Sequence, residues 1–434
     1  MSRILILVLG SFILVNAAIP TTPGWYQIPN TMINSVCANS SGCSGVFAWS
    51  SGVFDTKRNR MIVWGGGHGD YSGNELYALD LNSLTMTRLT QPAPAQSCIE
   101  ALANGTQPNS RHTYDGLDYM ENVDRMFVEG GFNYGGSCDL SVQRSKGTWT
   151  YDFTGKTWER KIDAPTALGN YEGQVSAYDP VTGKVFVAQS GFFAYDYSTN
   201  SYQQLNNSGD NHTYTCSAVL DPKRRKFIIM GSGYFSMVDI SNANNTWQNP
   251  TTTGGDAIIS SGYPGLAYDP VRDRIVGWSG GNTVYSLDMD TKVWTATTYA
   301  GGPGSANGSG TYKRWSYSPS MDLFVLVNGA GQNAFTFRFP GSGANINRAS
   351  TAVASTRIQA GPNPVSGNDA VQIRLSGNVR GTISIIDAAG RVVFQGKALD
   401  QIRWGHEKTA PGVYVVRLTS ENKVLSQQKL VILE

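Results

Sequence analysis

The sequence predicts an all-β protein built from a repeated antiparallel unit of four strands. Residues 61–81, MIVWGGGHGDYSGNELYALDL, contain an apolar strand, a glycine break, a polar loop and a second apolar strand that ends at Asp80. The same order recurs along most of the chain. The 49 glycines and the 11% of aromatic residues are typical of strands joined by glycine turns.

Six copies of the unit can be aligned on their glycine breaks. The first strand of a copy ends at a turn such as YDPVTGK, and the second strand ends at a break such as GGG or SGG. The third strand ends at an aspartate, and in four copies a large side chain follows six positions later, in the pairs Asp80 and Met86, Asp152 and Trp158, Asp196 and Tyr202, and Asp288 and Trp294.

The sixth copy has no fourth strand of its own before Pro340. Residues 24–28, GWYQI, have the pattern of a fourth strand without a unit. If this N-terminal strand pairs with the third strand of the sixth copy, the ring of four-stranded units closes without an exposed strand edge. We therefore expect a six-bladed β-propeller over residues 19–340, closed by an N-terminal strand.

The two ends of the chain have different patterns. Arg3, the apolar run 4–15 and the small residues Asn16-Ala17-Ala18 predict a signal peptide over residues 1–18, and therefore a mature protein outside the cytoplasm. Residues 341–358 are rich in Gly, Ser, Ala and Asn and predict a linker. Residues 359–434 alternate short apolar strands with glycine turns, a pattern that predicts a small β-sandwich.

Two family resemblances follow from these motifs. The glycine pairs that end second strands, with Tyr and Trp on the third and fourth strands, resemble the Kelch or galactose-oxidase-like propellers. PNP at 362–364, DAAGR at 387–391 and PGVY at 411–414 resemble the C-terminal sorting domain of the type IX secretion system of Bacteroidetes-like bacteria. The second resemblance implies the secretion machinery as a partner, and release or attachment at the outer-membrane cell surface.

Composition excludes some partners and leaves the cysteine pairing open. A net charge of +2 with 15% charged residues argues against a nucleic-acid partner. Beyond the N-terminal run, no segment is apolar enough to predict a transmembrane helix. Export permits disulfides, and Cys37–Cys43 and Cys98–Cys138 are plausible pairs that leave Cys216 as a buried thiol, although spacing does not determine connectivity.

Propeller topology predicts that the loops between second and third strands share one face with the segments that enter each first strand. Three of the four histidines fall on this face. We assign a catalytic role to His68, Arg111, His112 and Tyr214. Substrate-binding roles are assigned to Asp70, Tyr71, Asn74, Tyr171, Glu172, His212, Lys313, Arg314 and Trp315.

Histidine, tyrosine and arginine together suit β-elimination on a polysaccharide that contains uronic acids. A base removes the proton α to the carboxylate, a cation neutralises the carboxylate, and an acid protonates the leaving oxygen. Propeller-fold polysaccharide lyases, including ulvan lyases, are similar in chemistry. This similarity implies Arg111 as the neutralising group, His112 or His68 as the base, and Tyr214 as the acid.

Other functions stay open at this stage. A non-catalytic propeller that binds carbohydrate or protein fits the same residues. A copper radical oxidase needs a Tyr linked to a Cys, which directs attention to Tyr214 and Cys216, and glycoside hydrolysis needs two carboxylates, for which Asp70 and Glu172 are candidates. We assign no metal site and leave the cofactor unknown, although His68, Asp70 and His112 supply ligands if their loops converge.

Overall fold

The computed structural model describes residues 18–169, 172–210, 212–241, 246–341, 358–366, 370–375, 381–387, 390–398, 401–405, 409–420 and 423–433. The predicted signal peptide up to residue 17, nearly all of the predicted linker, and Tyr171 lie outside these ranges. The chain divides into two compact units, residues 1–344 and 345–434. No described helix is long and apolar enough to cross a membrane.

The first unit is composed mainly of six antiparallel sheets, which we number in chain order over the described residues. Apart from an N-terminal strand that joins sheet 6, each sheet pairs its strands in sequence order. The strands of sheets 1 to 3 are Gly52–Asp55, Arg60–Val63, Tyr77–Asp80 and Thr85–Arg88; Leu117–Met120, Arg125–Glu129, Thr148–Asp152 and Thr157–Arg160; and Val175–Asp179, Lys184–Ala188, Phe192–Asp196 and Ser201–Asn206. Those of sheets 4 to 6 are Ser217–Asp221, Lys226–Gly231 and Tyr234–Asp239; Gly265–Asp269, Arg274–Trp278, Thr283–Asp288 and Val293–Thr298; and Trp315–Ser318, Leu323–Leu326 and Phe335–Arg338. The prediction of an all-β chain is confirmed.

The sheets are arranged in a ring around their first strands. The first strand of each sheet contacts the first strand of the next, and that of sheet 6 contacts that of sheet 1. The N-terminal strand Gly24–Gln27 supplies the fourth strand of sheet 6, where it pairs antiparallel with Phe335–Arg338, as the unpaired sequence pattern predicts. Among the described residues of sheet 4, the fourth position holds one bridge, between Met237 and Gln248.

Apolar side chains of neighbouring sheets pack against each other because strand residues alternate between faces. Between sheets 1 and 2 the buried layer contains Ile62, Trp64, Val128 and Trp149. Arg–Asp ion pairs join neighbouring sheets in the turns between their first and second strands, for example Arg58 with Asp124 at 2.7 Å. These layers hold the loops on the opposite ends of the strands in fixed positions.

Short elements fill the connections. Two-stranded pairs join Ala101–Leu102 to Gln107–Pro108 and Arg111–His112 to Phe132–Asn133. The described helices are the 3-10 turns Ile33–Ser35, Ser44–Phe47, Ala103–Gly105, Thr166–Leu168 and Tyr312–Arg314 and the α-helices Leu140–Gln143 and Asp256–Ile259. Both predicted disulfides, Cys37–Cys43 and Cys98–Cys138, are present, and Cys216 is a buried free thiol.

The second unit contains two antiparallel sheets around one core. Their strands are, in sheet order, Ile358–Gly361, Val371–Leu375 and Gln401–Trp404, and then Val392–Lys397, Thr382–Asp387, Gly412–Ser420 and Lys423–Ile432. Buried side chains from both sheets, including Ile373 and Val416, form one cluster. The arrangement corresponds to the small β-sandwich that the alternating pattern predicts.

Candidate functional site

The site begins at the glycine break of sheet 1. Gly67 has a φ of +77°, and a Cβ there would lie 2.1 Å from Arg111 Cα and 2.5 Å from the carbonyl oxygen of Phe132. Only glycine tolerates this approach. The backbone of the break therefore lies against the short strand pair Arg111–His112 and Phe132–Asn133.

A tight turn follows and presents two polar side chains. The amide of Gly67 donates to the Tyr71 carbonyl at 2.7 Å, and the amide of Asp70 donates to the Gly67 carbonyl at 2.9 Å. His68 inside this turn has a φ of +42°, in the left-handed region that is rare for residues other than glycine. His68 and Asp70 thus project from a turn whose backbone is held by hydrogen bonds.

His112 meets this turn from the neighbouring segment. Its Nε2 lies 2.8 Å from Asp70 Oδ2, and its ring centroid lies 5.3 Å from that of His68. The hydrogen bond with His112 holds the pKa of the Asp70 carboxyl below its usual value, and burial lowers the pKa of His112 against the opposing effect of Asp70. At neutral pH we therefore infer an ionised Asp70 that accepts a hydrogen bond from a neutral imidazole.

A cavity of about 440 Å³ opens above these groups. Its aromatic walls are Trp49, Tyr114, Phe132 and Tyr214. The remaining lining residues are His68, Gly69, Asp70, His112, Leu140 and Glu172. An apolar wall around a small group of convergent polar side chains is typical of a ligand site.

Two long inserts meet at the edge of the site: residues 89–116, which follow the last strand of sheet 1, and residues 130–147, which join the second and third strands of sheet 2. Cys98 lies in one insert and Cys138 in the other, and their disulfide joins them. The amide of Gly135 donates to the His68 carbonyl at 2.7 Å, and the amide of His68 faces the Phe132 carbonyl at 3.3 Å. The insert of sheet 2 therefore supports the backbone of His68 on both sides.

Arg111 does not face the cavity, contrary to the neutralising role assigned from the sequence. Its side chain is fully buried. The guanidinium donates to Glu100, to Ser145 Oγ and to the carbonyls of Asn109 and Gly130. With its donors engaged in the interior, this side chain is a structural support for the strand that presents His112.

The three predicted binding residues near the start of sheet 6 are also turned inward. Lys313 Nζ donates to the carbonyls of Asp115 and Leu117, to Asp118 and to Ser176. Arg314 is fully buried, and its guanidinium donates to four backbone carbonyls. Trp315 is a core residue whose ring stacks on Phe324 at a centroid distance of 4.9 Å. The substrate-binding assignments of all three are therefore corrected to structural ones.

Three more predicted binding residues support loops instead of lining the cavity. Tyr71 is buried and donates to Glu75 Oε1 at 2.5 Å. Asn74 is buried, donates to Gln107 and to the Pro108 carbonyl, and accepts from the Ala93 amide. His212 is buried with its ring nitrogens 3.0 Å and 3.2 Å from the carbonyls of Gly209 and Gly173. Of the three histidines expected to share one face, His68 and His112 meet at the cavity and His212 does not.

Several residues at the site were assigned no role from the sequence. Trp49, three residues before the first strand of sheet 1, lies 5.1 Å from the His112 ring between centroids. Tyr114, two residues after His112, contacts both His112 and Tyr214 with its ring. Arg144 lies beside the cavity, with Nη2 3.9 Å from Glu172 Oε2 and its guanidinium over the Phe132 ring.

The Cys216 thiol is buried and free. The Cys216 thiol donates to the Gly231 carbonyl at 3.4 Å in the interior, whereas the Tyr214 ring neighbours are Tyr114 and Tyr263. The cysteine–tyrosine link that a copper radical oxidase needs is therefore not formed by this pair. Both carboxylates considered for glycoside hydrolysis, Asp70 and Glu172, do line the cavity.

Comparison with known proteins identifies the C-terminal part of the chain. Residues 361–433 match the family described as the secretion system C-terminal sorting domain. This domain marks proteins exported by the type IX system, so the chain is secreted, either released or held at the cell surface, and interacts with that secretion machinery. The predicted sorting domain and localisation are confirmed.

No curated protein sequence matches the chain. Among solved structures, it is similar to a fungal alcohol oxidase of the AA5 family in complex with copper, with a TM-score of 0.42, 14% identity, and coverage of 88% of this chain and 85% of that chain. A similarity at this level carries no argument about fold, activity or copper.

Proposed function

We propose that the first unit is a six-bladed Kelch-like propeller that binds an extracellular polysaccharide in the cavity above His68 and His112. The ring of first strands and the closure of sheet 6 by the N-terminal strand support the propeller. The aromatic wall around a few polar groups carries the proposal of a carbohydrate ligand.

Sugar rings combine apolar C–H faces with hydroxyl groups at their edges. The faces pack on aromatic side chains such as Trp49 and Tyr214, which offer large rigid surfaces at low cost in conformational entropy. The hydroxyls find hydrogen-bond partners in Asp70, Glu172 and the imidazoles. A cavity of about 440 Å³ also falls within the range of small-molecule sites.

The test is the retention of the tag-free mature chain on immobilised neutral and acidic polysaccharides. We expect retention on at least one glycan, and at least a tenfold loss of affinity in Tyr214→Ala. Tyr285→Ala is the matched control because Tyr285 is a partly exposed tyrosine of sheet 5 that does not line the cavity. Equal retention of both variants, or no retention on any glycan, would refute the proposal.

A second candidate function is β-elimination at a uronic acid in the same cavity. The observation that favours it is the 2.8 Å contact between His112 and Asp70, which orients a neutral imidazole as a base. The base takes the proton α to the carboxylate, the C–H electron pair forms the new double bond, and the broken C–O bond leaves an oxygen that Tyr214 protonates. Arg144, whose guanidinium lies over the Phe132 ring of the cavity wall and 3.9 Å from Glu172, takes the neutralising role in place of Arg111.

Ultraviolet absorbance of an unsaturated product separates the two candidates. Growth of absorbance on an acidic polysaccharide, abolished in His112→Gln and kept in His212→Gln, supports elimination. Retention of the glycan without product leaves the binding function alone.

A further inference from the structure

We propose that His68, Asp70 and His112 form a three-ligand site for a divalent transition-metal ion that opens into the cavity. Each residue offers one ligand atom, and the three atoms lie within 4.8 Å of one another. At tetrahedral angles, two donors that each bind the ion at about 2.1 Å lie about 3.4 Å apart. Side-chain movements of about 1 Å therefore bring the three donors from their present separation into a coordination sphere.

The backbone holds the two histidines of the proposed metal site in fixed positions. His68 is held in a left-handed conformation by the insert of sheet 2, with its amide facing the Phe132 carbonyl and its carbonyl accepting from the Gly135 amide. Strained conformations of this kind are costly and cluster at functional sites. His112 is fixed on a strand paired with Phe132–Asn133. The two imidazoles are thus carried by separate rigid elements that meet at Asp70.

The donor set indicates the class of ion. Two imidazoles and one carboxylate are the protein ligands of many catalytic zinc sites and of iron(II) sites, in which the remaining positions stay open to substrate or water. Calcium and magnesium prefer all-oxygen ligand sets. Asp70 is partly exposed and the cavity lies above the cluster, so the open positions face the space that the proposed ligand occupies.

The bound ion also compensates negative charge at the cavity. This part of the inference rests on the proposed carbohydrate-binding function. Among the described residues that line the cavity there is no lysine or arginine, whereas Asp70 and Glu172 are present, and only Glu172 of these two has a guanidinium, that of Arg144, at ion-pair distance. Arg111, Lys313 and Arg314 donate into the interior instead. A divalent ion at the open end of the site offsets the local negative charge and offers a coordination position to the carboxylate of an acidic sugar. The ligand class is therefore a polysaccharide that contains uronic acids.

With the ion bound, His112 is a ligand and not a proton acceptor. Metal binding and elimination with His112 as the base are therefore mutually exclusive in one molecule. The acidic-sugar ligand of the ion therefore belongs with the binding function and not with the elimination candidate.

The first experiment measures zinc alone on the metal-free, tag-free mature chain, because a polyhistidine tag would bind the probe. Competition with a chromogenic chelator should give one Zn²⁺ per chain. Asp70→Asn, which changes an exposed side chain while keeping its shape, and His68→Ala should each weaken binding at least 100-fold. The control His212→Gln, at a histidine outside the cavity, should keep full affinity. Circular dichroism confirms that each variant is folded.

Cobalt(II) provides a second readout that does not depend on affinity. Bound Co²⁺ should show visible absorption bands in the wild type that change in Asp70→Asn, since a ligand is lost. No stoichiometric Zn²⁺ binding, or equal binding by wild type, Asp70→Asn and His68→Ala, overturns the metal site.

Retention on glycans then separates the two proposals. Stronger retention of an acidic polysaccharide by the zinc-loaded chain than by the metal-free chain supports the acidic-sugar ligand. Equal retention in both states overturns that ligand class while the carbohydrate-binding function stands. Zinc binding without retention on any glycan overturns the binding function while the metal site stands.

Discussion

Arg111 Nη2 lies 3.0 Å from Glu100 Oε1, and this ion pair holds the guanidinium in the interior while the next residue, His112, lines the cavity. Adjacent residues on a strand point to opposite faces, so the same two-residue strand contributes one group to the core and one to the site. Glu100 also accepts from Trp149 Nε1 at 2.8 Å, and it connects the long insert of sheet 1 to sheet 2.

Arg111→Met should therefore affect stability and not ligand contact. Removing one partner of a buried ion pair leaves the other charge uncompensated, and we expect a loss of about 3 kcal/mol in the free energy of unfolding. Urea denaturation measures it. Arg160→Met is the matched control, because its pair with Asp163 is exposed and worth less than about 1 kcal/mol. A loss of glycan affinity at unchanged stability would contradict the structural role.

Glu129 should make stability fall as pH rises. Burial raises its pKa to about 8, with Arg111 opposing the shift and Glu100 adding to it, and neither carboxyl oxygen has a partner among the described residues. The nearby Tyr202 is half-buried. Because the folded state then binds a proton more tightly than the unfolded state, this group stabilises the fold below about pH 4.3, and that contribution is lost as pH rises towards 8.

Glu129→Gln should remove this dependence. The difference in unfolding free energy between variant and wild type should grow with pH, by at most about 1.4 kcal/mol per pH unit between the two pKa values. Chemical denaturation at several pH values measures the slope. Glu121→Gln, at an exposed glutamate in the turn after the first strand of the same sheet, serves as the control and should leave the slope unchanged. Parallel curves for wild type and Glu129→Gln would contradict the prediction.

Much of the fold follows from local patterns in the sequence. Apolar runs that end at glycines predict the strand pairs, and the unpaired pattern of Gly24–Gln27 predicts its place beside Phe335–Arg338. Such signals are strong because strand alternation and turn chemistry act within a few residues. The loop that carries His68 and Asp70 is recognisable for the same reason.

The partners of charged side chains could not be predicted in this way. Whether Arg111 or His112 faces the cavity depends on the register with Phe132 and on Glu100, which lies 11 residues away in an irregular insert. Lys313 meets Asp118 across 195 residues of sequence. Contacts between residues so far apart in the sequence depend on how the sheets pack. The sequence pattern therefore assigned these basic side chains to the substrate, whereas in the structure they bind groups in the protein interior.

The two disulfides should differ in their effects on stability and on the site. In the chain-entropy model, a bridge over a separation of 40 residues stabilises the fold by about 4 kcal/mol and one over 6 residues by about 2 kcal/mol. We expect the double variant Cys98→Ala/Cys138→Ala to lose more unfolding free energy than Cys37→Ala/Cys43→Ala. Glycan retention by the folded protein should fall in the first variant, since Gly135 beside that bridge supports His68. The reverse order of retention would contradict this assignment.

Alanine variants of Gly67 and Gly281 separate two costs: the backbone strain of a positive φ, and the steric clash between a Cβ at residue 67 and the backbone of Arg111. Both follow the second strand of a sheet and have a positive φ, +77° and +69°, so alanine at either position costs about 1–2 kcal/mol through the left-handed conformation alone. A Cβ at Gly281 meets nothing within 4 Å, whereas one at Gly67 meets the backbone of Arg111. Gly67→Ala must therefore displace the strand that presents His112, with a further cost of about 1–3 kcal/mol.

Urea denaturation should show the larger loss of unfolding free energy in Gly67→Ala. The Zn²⁺ affinity should fall in that variant, while Gly281→Ala binds Zn²⁺ as the wild type does. Equal losses of unfolding free energy and of Zn²⁺ affinity in the two variants would mean that the strand Arg111–His112 adjusts freely. The close packing of residues 67 and 111 would then not position His68, Asp70 and His112.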